Sequence, residues 1–314
     1  MQTYRDYTAI PDAAKGAAIA MGNFDGVHLG HQSVLALAKA AAVTADAPLG
    51  VISFEPHPRE FFAPNAPAFR LMSAETRANR LAKLGVEYLY ELPFDAALSH
   101  LTAEEFARDV LATGLGVRHV VVGADFRFGK GREGDVDMLT AFGKSLGFGV
   151  TVAPLISDAQ GELSSTAIRD ALSEGRPEDA ARILGHWHRV DGVVVKGDQR
   201  GRELGFPTAN ILMDGLHLPK FGVYAVLFDV LNGPHKGTYK GAASLGVRPT
   251  FGVNHPNLET YLFDFTGDLY DAHVSVALVA YQRAEEKYDS LDALIRQMKA
   301  DCFEAREILA KAVR

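Results

Sequence analysis

Apolar runs of strand length alternate with helical patterns through the first half of the chain. The strand-like runs occupy residues 17–21, 49–54, 86–92, 119–124 and 148–156. Helix-like spacing of apolar residues fills the intervals near residues 31–43, 73–84, 103–112 and 135–146. Regular alternation of strand and helix predicts a parallel sheet covered by helices on both faces. Such sheets bind ligands beyond the carboxyl ends of their strands, where loops lead into helix N-termini.

The apolar pattern changes to strict alternation after about residue 186. Segments such as GVYAVLFDV and HVSVALVAYQ predict antiparallel strands, followed by a final helix that Ser290 caps. One face of this helix carries Leu291, Leu294, Ile295, Met298 and Cys302. Two short helices within residues 164–185 separate the halves. We therefore predict an α/β domain at residues 1–185 and a small antiparallel β-barrel with a terminal helix at residues 186–314.

The composition is that of an ordinary globular protein. The 314 residues are 47% hydrophobic and 23% charged, with a net charge of -7, and this length favours two domains. Neither half is basic, which argues against nucleic acid as the main partner. No apolar run approaches the roughly 20 residues that span a bilayer, and we see no signal-peptide pattern. The single cysteine excludes an internal disulfide and cysteine-based metal clusters, so the cytoplasm is the expected compartment.

The stretch GNFDGVHLGH, residues 22–31, falls where the first predicted strand ends and the first helix begins. Glycines there allow a tight turn and close approach of a ligand, and a helix N-terminus offers N–H groups to an anion. The residues expected to border a nucleotide or phosphate are Gly22, Phe24, Asp25 and Gly30. His28 and His31 share one helix face and would stabilise charge on a phosphate oxygen. A glycine turn with surface histidines is the alternative.

The second half offers a metal-binding pair and a candidate base. Thr208 and Asn210, in GRELGFPTAN, point to the same side of an extended strand. Two such oxygens suit a magnesium ion that takes its other ligands from phosphate and water. Glu259, in NLETYLFDF, alternates onto an apolar face that we expect to point inward. Desolvation would then raise the pKa of Glu259 toward the range useful for deprotonating an alcohol. An edge strand with Glu259 in solvent is the alternative.

Five motifs follow one another along nearly the whole chain. They are GNFDGVHLGH (22–31), ISFEPHP (52–58), GADFRFG (123–129), SSTAIR (164–169) and GRELGFPTAN (201–210). Together they resemble the bacterial bifunctional riboflavin kinase/FMN adenylyltransferase family, also called FAD synthetases. The resemblance implies a Rossmann-like nucleotidyltransferase sheet followed by a riboflavin kinase-like barrel. It also implies riboflavin, FMN and ATP as substrates, FAD as the product and Mg²⁺ as the cofactor.

For the first domain, the resemblance implies transfer of AMP from ATP to FMN, which gives FAD and pyrophosphate. His28 and His31 would stabilise the α-phosphate while the FMN phosphate attacks it, with no covalent enzyme intermediate. Hydroxyls that open a helix, together with a guanidinium, form an anion clamp for the departing phosphates. The members of this clamp would be Ser164, Ser165, Thr166 and Arg169. His57 and Asp125 are implied to border the flavin.

For the second domain, the resemblance implies phosphorylation of riboflavin by ATP. Thr208 and Asn210 would contact Mg²⁺ and ATP, and Glu259 would activate the ribityl 5′-hydroxyl for attack on the γ-phosphate. Three glycines would let the neighbouring loop close over the nucleotide, namely Gly197, Gly201 and Gly205. Arg248 is implied to reach flavin or phosphate.

Three residues depart from the usual pattern of the family. Ser244 stands where asparagine is frequent, Tyr261 where histidine is frequent, and Asp271 where glycine commonly follows the Leu-Tyr pair. These departures leave the predicted base and metal ligands intact, but they could alter flavin affinity or loop closure. Two other hypotheses stay open: an adenylyltransferase whose barrel only binds flavin as a regulatory module, and a flavin-binding regulator without turnover. The bifunctional enzyme is favoured, and flavoproteins could receive its product.

Overall fold

The computed structural model describes residues 1–159, 161–197, 201, 204–250 and 253–312; the side chains of residues 248–250, 253 and 254 lie outside this description. The chain divides by its internal contacts into two compact units. Unit 1 comprises Met1–Pro67 and Ala74–Ser164, and unit 2 comprises Ala68–Ser73 and Ser165–Arg314. Within the described ranges, no helix is both long and apolar enough to cross a membrane.

Unit 1 contains the predicted parallel sheet. Its described strands are β1 (Gln2–Tyr4), β2 (Ala18–Met21), β3 (Leu49–Glu55), β4 (Tyr88–Pro93), β5 (His119–Gly123) and β6 (Gly149–Ala153). They lie in the order β1-β4-β3-β2-β5-β6, and each pair is parallel. Every residue of β2 is buried, as expected for a central strand with both faces covered. A two-stranded hairpin, β7 (Ser157–Asp158) and β8 (Gly161–Glu162), follows the sheet.

The helices of unit 1 confirm the predicted pattern, with some additional short turns. They are α1 (Leu29–Thr44), α2 (Pro58–Phe62), α3 (Ala74–Lys83), α4 (Ala96–His100), α5 (Ala103–Glu105) and α6 (Val136–Leu146). Thr102 and Glu105 form a capping box at the start of α5: each side chain accepts a hydrogen bond from the other residue's backbone N–H. After α5 the backbone continues as a π-helix over Phe106–Gly114.

Unit 2 contains an antiparallel sheet that almost closes into a barrel. Its strands are β9 (Arg189–Val193), β10 (Thr208–Leu212), β11 (Gly222–Val230), β12 (Gly237–Thr250), β13 (Val253–Leu262) and β14 (His273–Arg283). The order is β10-β13-β12-β11-β14-β9. A bridge between Val195 and Asn210 joins the two ends of this order. Leu245, Leu258 and Val226 are among the fully buried side chains of its core.

The helices that the structure describes over their full length in unit 2 are α7 (Ser165–Ser173), α8 (Pro177–Leu184) and α9 (Leu291–Lys311). Ser290 caps α9, as predicted, by accepting a hydrogen bond from the backbone N–H of Ala293 at 3.2 Å. The apolar face that the sequence indicates is only partly buried. Leu291 is 55% exposed, and the helix residues buried most deeply are Asp301, Ala305 and Leu309. The reason is that α9 packs on the barrel through its second half.

Candidate active sites

The loop between β2 and α1 adopts a compact turn built on positive φ angles. Phe24, Gly26 and Val27 have φ values of 52°, 86° and 44°, which non-glycine residues adopt uncommonly. Phe24, Asp25 and Val27 are nevertheless buried. The backbone N–H of Val27 donates to the carbonyl of Phe24 at 3.2 Å. Tight packing of the loop therefore holds it in an unusual conformation at the carboxyl end of a central strand.

His28 and His31 lie against each other at the start of α1. Their ring centroids are 3.7 Å apart with nearly parallel planes, and Phe24 lies 5.0 Å from the His31 ring. Desolvation lowers the pKa of His31 well below its usual range, and the neighbouring His28 lowers it further. His31 is therefore neutral at physiological pH. The structure brings the two predicted histidines into contact at a helix N-terminus.

The hydrogen bonding of His28 fixes which ring nitrogen can donate. Its Nδ1 accepts a hydrogen bond from the backbone N–H of His31 at 3.3 Å, so His28 is also the N-cap of α1. An accepting Nδ1 carries no proton, and the proton of the neutral ring is therefore on Nε2. A Cβ at Gly30 would lie 3.0 Å from the His28 ring and from the carbonyl oxygen of Leu163. Glycine between the histidines thus leaves room for the ring that caps the helix.

A cavity of about 770 Å³ lies in unit 1, and its walls include several phenylalanine rings. Phe54 and Phe62 each contact Phe94 edge to face, with centroids 5.8 and 5.7 Å apart. His57 and Asp125, predicted from separate motifs, line this same cavity. His57 also caps α2, since its Nδ1 accepts from the backbone N–H of Arg59 at 3.1 Å.

Sequence reasoning missed a buried ionic network around Arg77. Arg77, on α3, is 2% exposed and its Nη2 contacts Glu55 at 3.0 Å and Glu91 at 3.1 Å. Its Nη1 donates to the carbonyl oxygen of Asn23 at 3.4 Å. Arg77 therefore links the ends of β3 and the β2–α1 loop. An arginine inside an otherwise polar helix pattern gave no signal of burial.

The SSTAIR motif lies at the division between the units. Ser164 is the last residue of unit 1, while Ser165, Thr166 and Arg169 belong to α7 in unit 2. As expected, serine opens the helix. The Arg169 Nε donates to the carbonyl oxygen of Phe69 at 2.6 Å, and its guanidinium lies 5.2 Å from the centre of that ring. The phosphate-binding role of the motif stays a prediction.

In unit 2 the pairing of the strands places the predicted metal ligands and the predicted base side by side. Asn210 on β10 pairs with Glu259 on β13, which pairs with Ser244 on β12, and Thr208 pairs with Tyr261 in an adjacent row. Paired residues of antiparallel strands share a face of the sheet. These side chains line one cavity of about 630 Å³, together with residues of α9.

The expected inward orientation of Glu259 is wrong. Its neighbours Leu258 and Leu262 fill the barrel core, so Glu259 lies on the opposite, outer face. It is nevertheless only 9% exposed. Strand β13 carries apolar residues on both faces because its outer face is covered as well. The alternation of residues along the strand therefore did not show which face points into the barrel core.

A side chain that sequence reasoning missed connects Glu259 with Asn210. The Asn257 Nδ2 donates to Asn210 Oδ1 at 2.9 Å and to Glu259 Oε1 at 3.0 Å. Asn210 Nδ2 in turn donates to the carbonyl oxygen of Thr208 at 3.2 Å. Asn257 precedes Glu259 by two residues, so both side chains lie on the same face of the strand. This spacing is the only feature of the sequence that could have indicated a contact between them.

Two of the three predicted glycines lie where a larger residue would not fit, and the third has a backbone angle that favours glycine. A Cβ at Gly197 would be 2.7 Å from both amide atoms of Asn210, and a Cβ at Gly201 would be 2.4 Å from the carbonyl oxygen of Phe206. Gly205 has a φ of 83°. Glycine therefore allows the chain to pack directly on Asn210. Of the other predicted residues, Arg248 lies in β12, but its side chain is outside the described residues.

The cavity wall beside α9 is partly ionic. Arg283 pairs with the buried Asp301 at 2.6 Å. Burial, with a smaller contribution from Asp301, raises the pKa of the Cys302 thiol to about 11. Cys302 is therefore a protonated, weakly polar part of the wall. Tyr261 contacts Phe206 edge to face, with centroids 5.1 Å apart.

Comparison with known proteins identifies the family of the chain. Family models described as FAD synthetase and riboflavin kinase match residues 10–167 and 184–309. A bifunctional riboflavin kinase/FMN adenylyltransferase from Pseudomonas fluorescens is 39% identical over 311 residues, which are 99% of this chain and 98% of that protein. The protein of that name from Escherichia coli K12 is 39% identical over 293 residues, 93% of each chain.

The chain belongs to the bifunctional riboflavin kinase/FMN adenylyltransferase family. This confirms the resemblance, the predicted fold class and the predicted pair of enzyme activities. Riboflavin, FMN and ATP are the substrates that fit this family. Asp271, one of the departures, has a φ of 62°, a conformation that suits the usual glycine and that aspartate also tolerates.

A solved structure shares the fold of the chain. It comes from Streptococcus pneumoniae and is described as a macrolide-efflux protein; its TM-score is 0.85 at 30% identity, and the match covers 99% of both chains.

Proposed function

We propose that the barrel of unit 2 phosphorylates riboflavin and that the parallel-sheet unit converts the resulting FMN to FAD. The observation that carries this proposal is the convergence of Thr208, Asn210 and Glu259 on one cavity, separate from the stacked histidines of α1. The matched ranges 10–167 and 184–309 support the same assignment. We place the two catalytic modules at residues 1–185 and 186–314, although contacts group α7 and α8 with unit 2.

At the kinase site, Glu259 accepts the proton of the ribityl 5′-hydroxyl as that oxygen attacks the γ-phosphate of ATP, and ADP leaves. Burial keeps competing water away from the carboxylate. The cavity behind it, closed on one side by α9, has apolar and aromatic walls suited to the flavin ring.

Thr208 and Asn210 would hold Mg²⁺ at this site. Their donor set fits the ion because hydroxyl and amide oxygens are hard ligands beside a carboxylate. Asn210 Oδ1 accepts one hydrogen bond from Asn257 and retains a second lone pair. When bound, Mg²⁺ neutralises charge on the transferring phosphate. In the part of the chain that the structure describes, no group of three or more His, Cys, Asp and Glu side chains could hold a metal ion.

At the adenylylation site, the N-terminus of α1 and its two histidines stabilise negative charge that builds on the α-phosphate of ATP. The FMN phosphate attacks that phosphorus and pyrophosphate leaves. His28 donates through Nε2, and neutral His31 adds hydrogen bonding without a fixed charge. The SSTAIR hydroxyls with Arg169 receive the departing phosphates, and the phenylalanine-lined cavity beside His57 and Asp125 takes the flavin.

The kinase assignment is tested with Glu259→Gln, which keeps the size of the side chain and removes the base. We expect FMN formation from riboflavin to fall by about 100-fold or more, while FAD formation from added FMN continues at the wild-type rate. Equal loss of both reactions in a folded protein would contradict the assignment.

The adenylylation assignment is tested with His28→Ala under the same conditions. We expect FAD formation to be lost, while FMN accumulates from riboflavin as in the wild type. If FMN production stopped as well, the histidines would not belong to a separate site. A cytoplasmic location and transfer of product to flavoproteins stay predictions.

A further inference from the structure

Asn257 joins the proposed base to the proposed metal ligand through one amide nitrogen. Its Nδ2 donates both to Glu259 Oε1 at 3.0 Å and to Asn210 Oδ1 at 2.9 Å. Asn210 is itself oriented, because its Nδ2 donates to the carbonyl oxygen of Thr208. Both partners of Asn257 are therefore acceptors, and only its nitrogen can face them. The three proposed kinase residues thus belong to one hydrogen-bonded chain in which Asn257 is the link.

Stability alone does not account for an amide at this position. The Asn257 Oδ1 is buried and has no hydrogen-bond partner in the described part of the chain. A buried acceptor without a donor costs stability, and leucine has a similar size without such an atom. The amide is therefore suited to its donor function rather than to packing.

We propose that Asn257 is a positioning residue for riboflavin phosphorylation, which holds the Glu259 carboxylate and the Asn210 amide oxygen in fixed orientations. This inference rests on the proposed function of Glu259 as the base. A general base must lie within hydrogen-bond reach of the proton that it accepts, so a carboxylate held in one orientation is suited to this role. The hydrogen bond from Asn257 directs one carboxylate oxygen toward its amide and so sets the position of the other.

Other titratable groups face the same cavity. The strands β10 and β12 contribute neutral side chains there, Thr208, Asn210 and Ser244. The charged or ionisable groups on the remaining walls are Tyr261, Arg283, Glu285, Glu286, Tyr288, Asp301 and Cys302. Substitution of Asn257 leaves all of these in place, so their contribution is common to every variant.

The experiment compares Asn257→Leu and Asn257→Asp with wild type in the full-length protein. Asn257→Leu removes the donor at similar size, and Asn257→Asp replaces it with a second carboxylate. Asn232→Leu is the matched control, because Asn232 is an exposed asparagine whose side chain accepts from the backbone N–H of His273 outside the cavity. For each protein, kcat and KM for riboflavin are measured separately, and FAD formation from FMN is measured in the same preparation.

We expect Asn257→Leu to lower kcat for FMN formation by about 10- to 100-fold with little change in KM for riboflavin. Asn257→Asp should lower kcat at least as much, because a carboxylate cannot donate a hydrogen bond to Glu259 or Asn210. Asn232→Leu should match wild type, and FAD formation from FMN should be unchanged in all variants.

Two results would overturn the proposal: kcat within about twofold of wild type, or a loss that appears as a raised KM for riboflavin with kcat unchanged, which would indicate a role in packing or binding only. Failure of the underlying function is distinguishable. If Glu259→Gln retained wild-type kcat, Glu259 would not be the base, whatever the Asn257 variants did.

Discussion

At the scale of single residues, both candidate sites depend on glycines that let a functional side chain pack against backbone. Gly30 leaves space for the ring of His28, and Gly197 leaves space for the amide of Asn210. The role of these glycines is therefore to leave space for the side chains of His28 and Asn210. This explains why the motifs combine glycine with histidine in one unit and with asparagine in the other.

Gly197→Ala should move Asn210 and so impair FMN formation. The added Cβ would lie 2.7 Å from the amide nitrogen and oxygen of Asn210. Because displacement of a binding group by about 1 Å can cost about 100-fold in rate, we expect a loss of about 10- to 100-fold in kcat/KM. Gly237→Ala is the control, since its nearest neighbours are 3.7 Å away or more. Equal effects of the two substitutions on FMN formation would contradict this account.

At the scale of elements, the sequence predicted the helices and strands that carry strong apolar periodicity. It missed β1, because Gln2–Tyr4 is short and polar and pairs only at the sheet edge beside β4. It also missed the π-helix at Phe106–Gly114. Local patterns do not specify edge pairing or an altered helical hydrogen-bond pattern, since both depend on tertiary contacts.

Arg77 gives an element-scale prediction about stability. Arg77→Met leaves the buried Glu91 without its closest buried cation, which typically costs about 3–5 kcal/mol. Arg5→Met is the control: Arg5 contacts the same carboxylate at 3.0 Å but is 74% exposed, so its loss should cost less than about 1 kcal/mol. Hydrogen exchange of the β3 and β4 amides measures the loss of stability in each of the two variants. Similar protection in the two variants would show that the network does not stabilise the sheet.

The candidate sites were predictable to different degrees, for a physical reason. His28 and His31 are neighbours on one helix turn, so local spacing was sufficient to place them together. Glu259 and Asn210 meet only through the register of β10 and β13, which a single sequence does not define. Asn257 was missed for the same reason, since its partners become visible only after the strands are paired.

At the scale of the whole molecule, the stability of unit 2 should decrease in acid. Burial lowers the pKa of His188 from 6.5 to about 3, and His186 and His217 add to the shift. Below pH 6.5 the unfolded chain therefore binds more protons than the folded one. Stability is lost as the pH falls from about 6.5 toward about 3, with a loss of about 2 kcal/mol by about pH 5.

His188→Gln should remove that part of the acid dependence. Urea unfolding is followed at about pH 7 and about pH 5 by fluorescence of Trp187, the only tryptophan of the chain, which lies in unit 2. The wild type should lose about 2 kcal/mol more than His188→Gln between these conditions. Equal losses would mean that His188 is not the responsible group.

The central claim is that one chain performs two successive reactions at two separate sites. The most direct measurement mixes His28→Ala and Glu259→Gln proteins with riboflavin, ATP and Mg²⁺ and follows the flavins by chromatography over time. Each variant alone should fail to make FAD, whereas the mixture should form FMN first and FAD afterwards. If the mixture made no FAD although both proteins were folded, the two reactions would not occur at independent sites, and the account would be wrong.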